Sequence, residues 1–124
     1  MGDKPLAMVV EDDADLAEIF SQALLSAGFE TQMINDGRKA LDRLAEVAPA
    51  VVVLDLHLPS VSGVDILQHI RADARLGATR VLITTADPST AQVLEEQADL
   101  VLIKPVSFTQ LRDLAARLAM TMSS

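Results

Sequence analysis

The chain has 124 residues, ten of them basic and eighteen acidic, for a formal net charge of −8 at pH 7, and half of its residues are hydrophobic. That length suits one hydrophobic core in a globular domain, and the acidic balance opposes the phosphate contacts that drive nucleic-acid binding, so no direct nucleic-acid contact is expected. The absence of cysteine excludes disulfides and thiolate chemistry; with no apolar run near the roughly 18 residues of a membrane span and no secretion-type start, no membrane association is expected and the cytoplasm is the expected location.

Two kinds of segment alternate along the chain. The first apolar run, LAMVV (6–10), is followed by a helical stripe of Leu16, Ile19, Phe20, Ala23, Leu24 and Ala27 that ends at Gly28, a residue suited to a left-handed stop. A weaker run, TQMI (31–34), precedes DGRKALDRLAEV, with Asp36 as helix cap and Ala40, Leu41 and Leu44 on one face. The run AVVVL (50–54) leads to SGVDILQHIRAD, capped by Ser62, with Val64, Leu67 and Ile70 as its stripe. RVLIT (80–84) leads to DPSTAQVLEEQ, where Asp87 is the cap and Pro88 takes the first helical position. LVLI (100–103) leads to SFTQLRDLAARLAM, opened by Ser107 and Gln110 at capping-box spacing and burying Leu111, Leu114 and Leu118. Short, continuously aliphatic runs without polar alternation suit strands buried on both faces of a parallel sheet. Strand then helix, five times over, predicts an α/β fold of three layers with a doubly wound parallel sheet, a single domain over 1–124 with no output domain following it.

Open sheets of this kind bind ligands beyond the carboxyl ends of their strands. Glu11, Asp12 and Asp13 follow the first run, Asp55 follows the third, Thr84 and Thr85 close the fourth, and Lys104 and Pro105 follow the fifth. With strand order 2-1-3-4-5 the first and third strands are neighbours, so Glu11, Asp12 and Asp55 converge. Two carboxylates about 4 Å apart repel by roughly 4 kcal/mol at an effective dielectric of 20, so the trio calls for a cation. An all-oxygen donor set points to Mg2+, with Mn2+ as a substitute; the ligand-spaced loop of a calcium site is missing. Lys104 and the threonines then suit a second anion, most simply a phosphoryl group, and Asp55 becomes a candidate nucleophile that forms an aspartyl phosphate.

VVEDD, LDLHLPSVSG, ITTAD and LIKPV, in this order and at these intervals, resemble the receiver domain of two-component response regulators over nearly the whole chain. The resemblance implies a five-fold βα flavodoxin-like fold. It implies that Asp55 accepts phosphate from a sensor histidine kinase or a histidine phosphotransfer protein, with Glu11, Asp12, Asp55 and the backbone carbonyl of His57 holding Mg2+. Thr85 matches the switch residue, and Lys104 would bond a phosphoryl oxygen, its bond to Pro105 being a candidate for the cis form. The protein would then be a signalling module, acting through the surface of its fourth helix, fifth strand and fifth helix on a target the sequence does not name. It would catalyse only its own phosphorylation and dephosphorylation. The family usually carries Tyr or Phe three residues before the lysine; here that residue is Val101, so a ring flip cannot carry the signal, and either the fourth helix and its loop move differently or the output is weak.

Several residues have simpler readings beside these. Asp13 is the natural cap of the first helix, with a metal or structural role as the alternative, and Asp87 is the natural cap of the fourth. In the family this sequence resembles, the residues two past the phosphoacceptor and two past the threonine flank the attacking water; here they are His57 and Asp87, which the resemblance leads us to expect to pair over the phosphoryl group and slow its loss. Thr84 reads as a β-branched strand residue, and Glu95–Glu96 as a solvated helix face. Two rival functions are a phosphatase of the haloacid dehalogenase type, whose Asp-x-Asp signature is missing here, and a receiver-like interaction module that works without phosphate. A flavin-binding variant of the fold finds neither a phosphate-cradling loop nor stacking aromatics.

Overall fold

The computed structural model describes residues 4–122. Five strands, β1 (Leu6–Val10), β2 (Glu30–Ile34), β3 (Val51–Asp55), β4 (Arg80–Thr85) and β5 (Leu100–Ile103), alternate with five helices, α1 (Ala14–Ser26), α2 (Gly37–Leu44), α3 (Gly63–Ala72), α4 (Pro88–Leu94) and α5 (Phe108–Met122). Every pairing is parallel and the order is β2-β1-β3-β4-β5, as the alternation implied.

Successive strand residues point to opposite faces, so each aliphatic run feeds two cores. Met8, Val10, Val52, Leu54, Val81 and Ile83 pack beneath Leu44, Ile66, Ile70 and Leu94 of α2, α3 and α4. Ala7, Val9, Val51, Val53, Leu82 and Leu102 pack beneath Phe20 and Leu24 of α1 and Leu111 and Ala115 of α5. Burial of each such side chain stabilises the fold by roughly 1.5–3 kcal/mol before entropy is counted. The fully buried strand is the central β3; β2 lies at the sheet edge and leaves Glu30 and Met33 exposed, which is why its run is the least apolar.

The caps fall where the sequence places them. Asp13, Asp36, Ser62, Asp87 and Ser107 each accept backbone N–H bonds at a helix start, and Gly28 takes φ 103°, a conformation that glycine reaches without strain. The differences lie in lengths and faces. α2 stops at Leu44, short of the expected Val47; two more N–H groups, of Ala45 and Val47, still bond carbonyls four residues back, and the guanidinium of Arg75 donates to the carbonyls of Leu44 and Val47 beyond the helix end. α4 stops at Leu94, since residues 95–99 turn back into β5 and leave Glu95 and Glu96 exposed. Ile19 turns outward, Leu16, Leu41, Val64, Leu114 and Leu118 are half-buried, and Ile66 and Ala115 carry the burial instead. A 3₁₀ turn, Ala74–Leu76, buries Leu76 between α3 and β4.

At the amino edge of the sheet Arg71 ties three segments together. It donates to the carbonyls of Gln97 (2.6 Å) and Thr79 (3.2 Å) and pairs with Asp99 at 2.9 Å, while the Asp99 carboxylate also accepts the Val81 N–H at 2.7 Å. At the carboxyl edge the loop from β3 to α3 is pinned to the start of α2. The hydroxyl of Ser60, a residue with φ 67°, donates to the Asp36 carboxylate at 2.8 Å and accepts the Arg38 N–H at 3.1 Å. The same loop closes so tightly that a Cβ on Gly63 would collide with the carbonyl of Asp55 and stand 2.6 Å from the Cα of Leu56. Gly63→Ala is therefore expected to lose about 1–3 kcal/mol of stability in urea unfolding, the usual cost of overpacking; an unchanged midpoint would show that this loop yields freely.

Candidate functional site

Five strands end at the carboxyl edge, and three of them supply charge. Alternation puts Glu11 on the face of Val9, Asp55 on that of Val53 and Lys104 on that of Leu102, which is the face covered by α1 and α5. The side chain of Lys104 crosses β4 to reach Asp55 Oδ1 at 3.3 Å and Glu11 Oε1 at 3.1 Å. Glu11 and Asp55 are buried and Asp12 is exposed, and one carboxylate oxygen from each lies within 4.8 Å of the others. Glu11 also accepts the backbone N–H of Asp13 through Oε2 at 3.2 Å.

The electrostatics follow from burial. Removal from water, aided by the charge of Asp55, pushes the Glu11 carboxyl above its ordinary value of 4.5, against the opposing pull of the Asp13 N–H and Lys104. Burial pushes Lys104 down, yet its bond to Glu11 and the charges of Asp55 and Glu11 outweigh that and hold its ammonium above the ordinary lysine value of 10.5. Three carboxylates against one ammonium leave two negative charges uncompensated at this edge. One divalent cation supplies that charge. With one oxygen from each of the three carboxylates within 4.8 Å of the others, the all-oxygen donor set suits a small hard ion with waters completing its shell.

Other residues singled out in the sequence fall around this cluster. Thr85 is buried at the end of β4, and its Oγ1 accepts the Asp87 N–H at 3.1 Å. The Lys104–Pro105 bond is cis. Asp13 serves as the α1 cap, accepting from Asp15 and Leu16. The expected pair of His57 and Asp87 is not formed among the described residues. His57 is exposed, and Asp87 spends its carboxylate on the Ser89 N–H, the Ser89 hydroxyl and the Thr90 hydroxyl, bonds that hold its pKa below the ordinary 3.8. Val101 is half-buried, is the register partner of Ile83 and packs against the core beneath α2, α3 and α4. Sequence reasoning missed the Glu11–Lys104 bond, because it read Lys104 only as a partner for an incoming anion. It also missed the Ser60–Asp36 latch, which a serine after Pro59 and an aspartate before Gly37 do not announce.

The comparisons with known proteins agree with this geometry. The family model described as "Response regulator receiver domain" matches residues 7–116, and the chain belongs to that family. It is 40% identical over 101 residues to the DNA-binding response regulator MtrA of Mycobacterium tuberculosis, an alignment covering 79% of this chain and 43% of MtrA. It is 34% identical over 113 residues to the sensory transduction protein RegX3 of Mycobacterium bovis, covering 90% of this chain and 48% of RegX3. The chain thus spans about half the length of the curated relatives it matches. Among solved structures, the BeF3-activated DrrB receiver domain superposes with a TM-score of 0.84 at 26% identity, covering 95% of this chain and 99% of that one. The signal receiver domain of a Luxo repressor protein from Vibrio parahaemolyticus superposes at 0.83 with 26% identity, covering 98% and 96%. The chain is therefore a receiver domain of the response-regulator family, a signalling module of two-component systems.

Two outcomes follow from the charge balance. At a Mg2+ concentration ten times its Kd, the cation is expected to stabilise the domain by about 1.4 kcal/mol, read as a rise in melting temperature that Asp12→Ala removes or greatly reduces. Because Glu11 has a folded-state pKa above its ordinary 4.5, its contribution to stability is fully present below pH 4.5 and is lost as pH rises through the folded value. In chelator, wild type is accordingly expected to lose stability relative to Glu11→Gln across that window, measured by denaturant unfolding at a series of pH values.

Proposed function

We propose that Asp55 is the residue of this receiver domain that accepts the phosphoryl group, with Glu11, Asp12 and the backbone carbonyl of His57 completing a Mg2+ site beside it. The observation that carries this reading is the reach of Lys104 across β4 to Asp55 and Glu11, which gathers residues from three strands into one cluster. The donor is a phosphohistidine on a sensor histidine kinase or a histidine phosphotransfer protein. An Asp55 carboxylate oxygen attacks phosphorus and forms a P–O bond; the P–N bond to the donor imidazole breaks, and its electron pair stays with the nitrogen. Lys104 turns from the Asp55 carboxylate to a phosphoryl oxygen. When bound, Mg2+, or Mn2+ in its place, offsets phosphoryl charge.

Thr85 gives up the Asp87 N–H and donates its hydroxyl to the phosphoryl group, which draws the β4–α4 loop inward. That displacement alters the surface formed by α4, β5 and α5. Val101 offers no ring to rotate, so the signal passes through the loop itself. Hydrolysis of the aspartyl phosphate, again within the domain, resets the switch. Among the described residues no helix is long and apolar enough to cross a membrane, and the reading places the domain in the cytoplasm beside its kinase. The test is incubation with acetyl phosphate. With Mg2+ the intact mass is expected to rise by one phosphoryl group. Asp55→Ala, or chelation of the metal, is expected to leave it unchanged; modification of Asp55→Ala at the wild-type level would move the acceptor elsewhere.

A further inference from the structure

Thr84 is fully buried, and its Oγ1 has no hydrogen-bond partner, the one buried side-chain oxygen or nitrogen in that condition among the described residues. A hydroxyl enclosed this way costs roughly 1–3 kcal/mol against a bonded one, so its presence in a core otherwise free of such groups asks for a reason. Its position supplies one. Thr84 is the register partner of Asp55 on β3 and of Leu102 on β5, and it shares the face of Leu82, the face that also carries Asp55 and Lys104. Neighbouring strands lie about 4.8 Å apart, so Thr84 stands beside Asp55 and beneath the path that Lys104 takes from β5. In this structure the ammonium of Lys104 occupies Asp55 Oδ1, at 3.3 Å.

We propose that Thr84 is a positioning residue for phosphotransfer: its hydroxyl turns to donate to the Asp55 carboxyl oxygen that Lys104 leaves when the ammonium moves onto the phosphoryl group. The inference rests on the reading of Asp55 as phosphoacceptor. It accounts for the missing partner, since the hydroxyl is held in reserve in the resting state and bonded in the loaded one. It also separates the two adjacent threonines. Thr85 faces the loop and the phosphoryl group, whereas Thr84 faces the carboxyl that bears it.

The test compares Thr84→Val, which keeps the branched shape, with Thr84→Ser, which keeps the hydroxyl, in the full chain. Without phosphate, Thr84→Val is expected to melt at or above the wild-type temperature, because it removes an unbonded polar group. With Mg2+ and BeF3−, used as the phosphoryl probe, its affinity is expected to fall two- to tenfold, the worth of one hydrogen bond. Thr84→Ser is expected to stay within twofold of wild type. Two results overturn the proposal: BeF3− affinity of Thr84→Val equal to wild type, or a lower melting temperature for Thr84→Val, which would mean that the hydroxyl is already bonded at rest. Failure of the parent reading is distinct, since wild type itself would then take neither BeF3− nor phosphate from acetyl phosphate.

Discussion

Carboxylates that end adjacent strands repel one another, and no arrangement of the backbone removes that repulsion once β1 and β3 are paired. Lys104 is the internal answer. Its ammonium reaches two of the three acids and leaves the third, Asp12, facing solvent. The neutralisation is deliberately incomplete in effect: one amine cannot balance three acids, and the residual charge makes the site receptive to a divalent ion. Under the proposed function the same amine then moves from Asp55 to the incoming phosphoryl group. Geometry that is costly in an isolated protein becomes favourable once the ligands arrive.

The fold exists to hold that arrangement. All five strands end at one edge because parallel order with helical crossovers makes every strand run the same way. The central strand β3 is buried throughout, so Asp55 is fixed by its own aliphatic run, and the loop behind it is fixed by the Ser60–Asp36 bond and by the bare α-carbon of Gly63. Reactive side chains on strand ends inherit the rigidity of the sheet. The loop after Thr85 is held by smaller means, chiefly the Asp87 cap and a single N–H bond to the Thr85 hydroxyl.

Much of this was legible in the sequence for a simple reason. Buried parallel strands must be continuously aliphatic, so LAMVV and RVLIT mark their own ends, and the first polar residue after each marks the edge where chemistry gathers. Helix starts were equally plain, because Asp13, Asp36, Ser62 and Asp87 satisfy backbone donors locally. What escaped depends on partners distant in sequence. The carbonyls at the end of α2 are bonded by Arg75, and the resting hold on Lys104 comes from Glu11, at the far end of the chain. Without a phosphoryl group between them His57 and Asp87 do not touch; Asp87 bonds the nearer hydroxyls of Ser89 and Thr90, and local bonds of that kind form at small entropic cost. The exposure of Ile19 and the partial burial of Leu114 and Leu118 show that a helical stripe gives the direction of a face but not how far a neighbouring helix covers it.

The clasp made by Arg71 and Asp99 gives the sheet two unequal rims. At one, a guanidinium and a carboxylate satisfy each other together with three backbone groups, and nothing there depends on an incoming solute. The other rim is electrically unfinished. The segment from Asp87 to Asp99, which carries α4, therefore runs from the unfinished rim to the satisfied one, held at its far end by the Arg71 and Val81 bonds to Asp99.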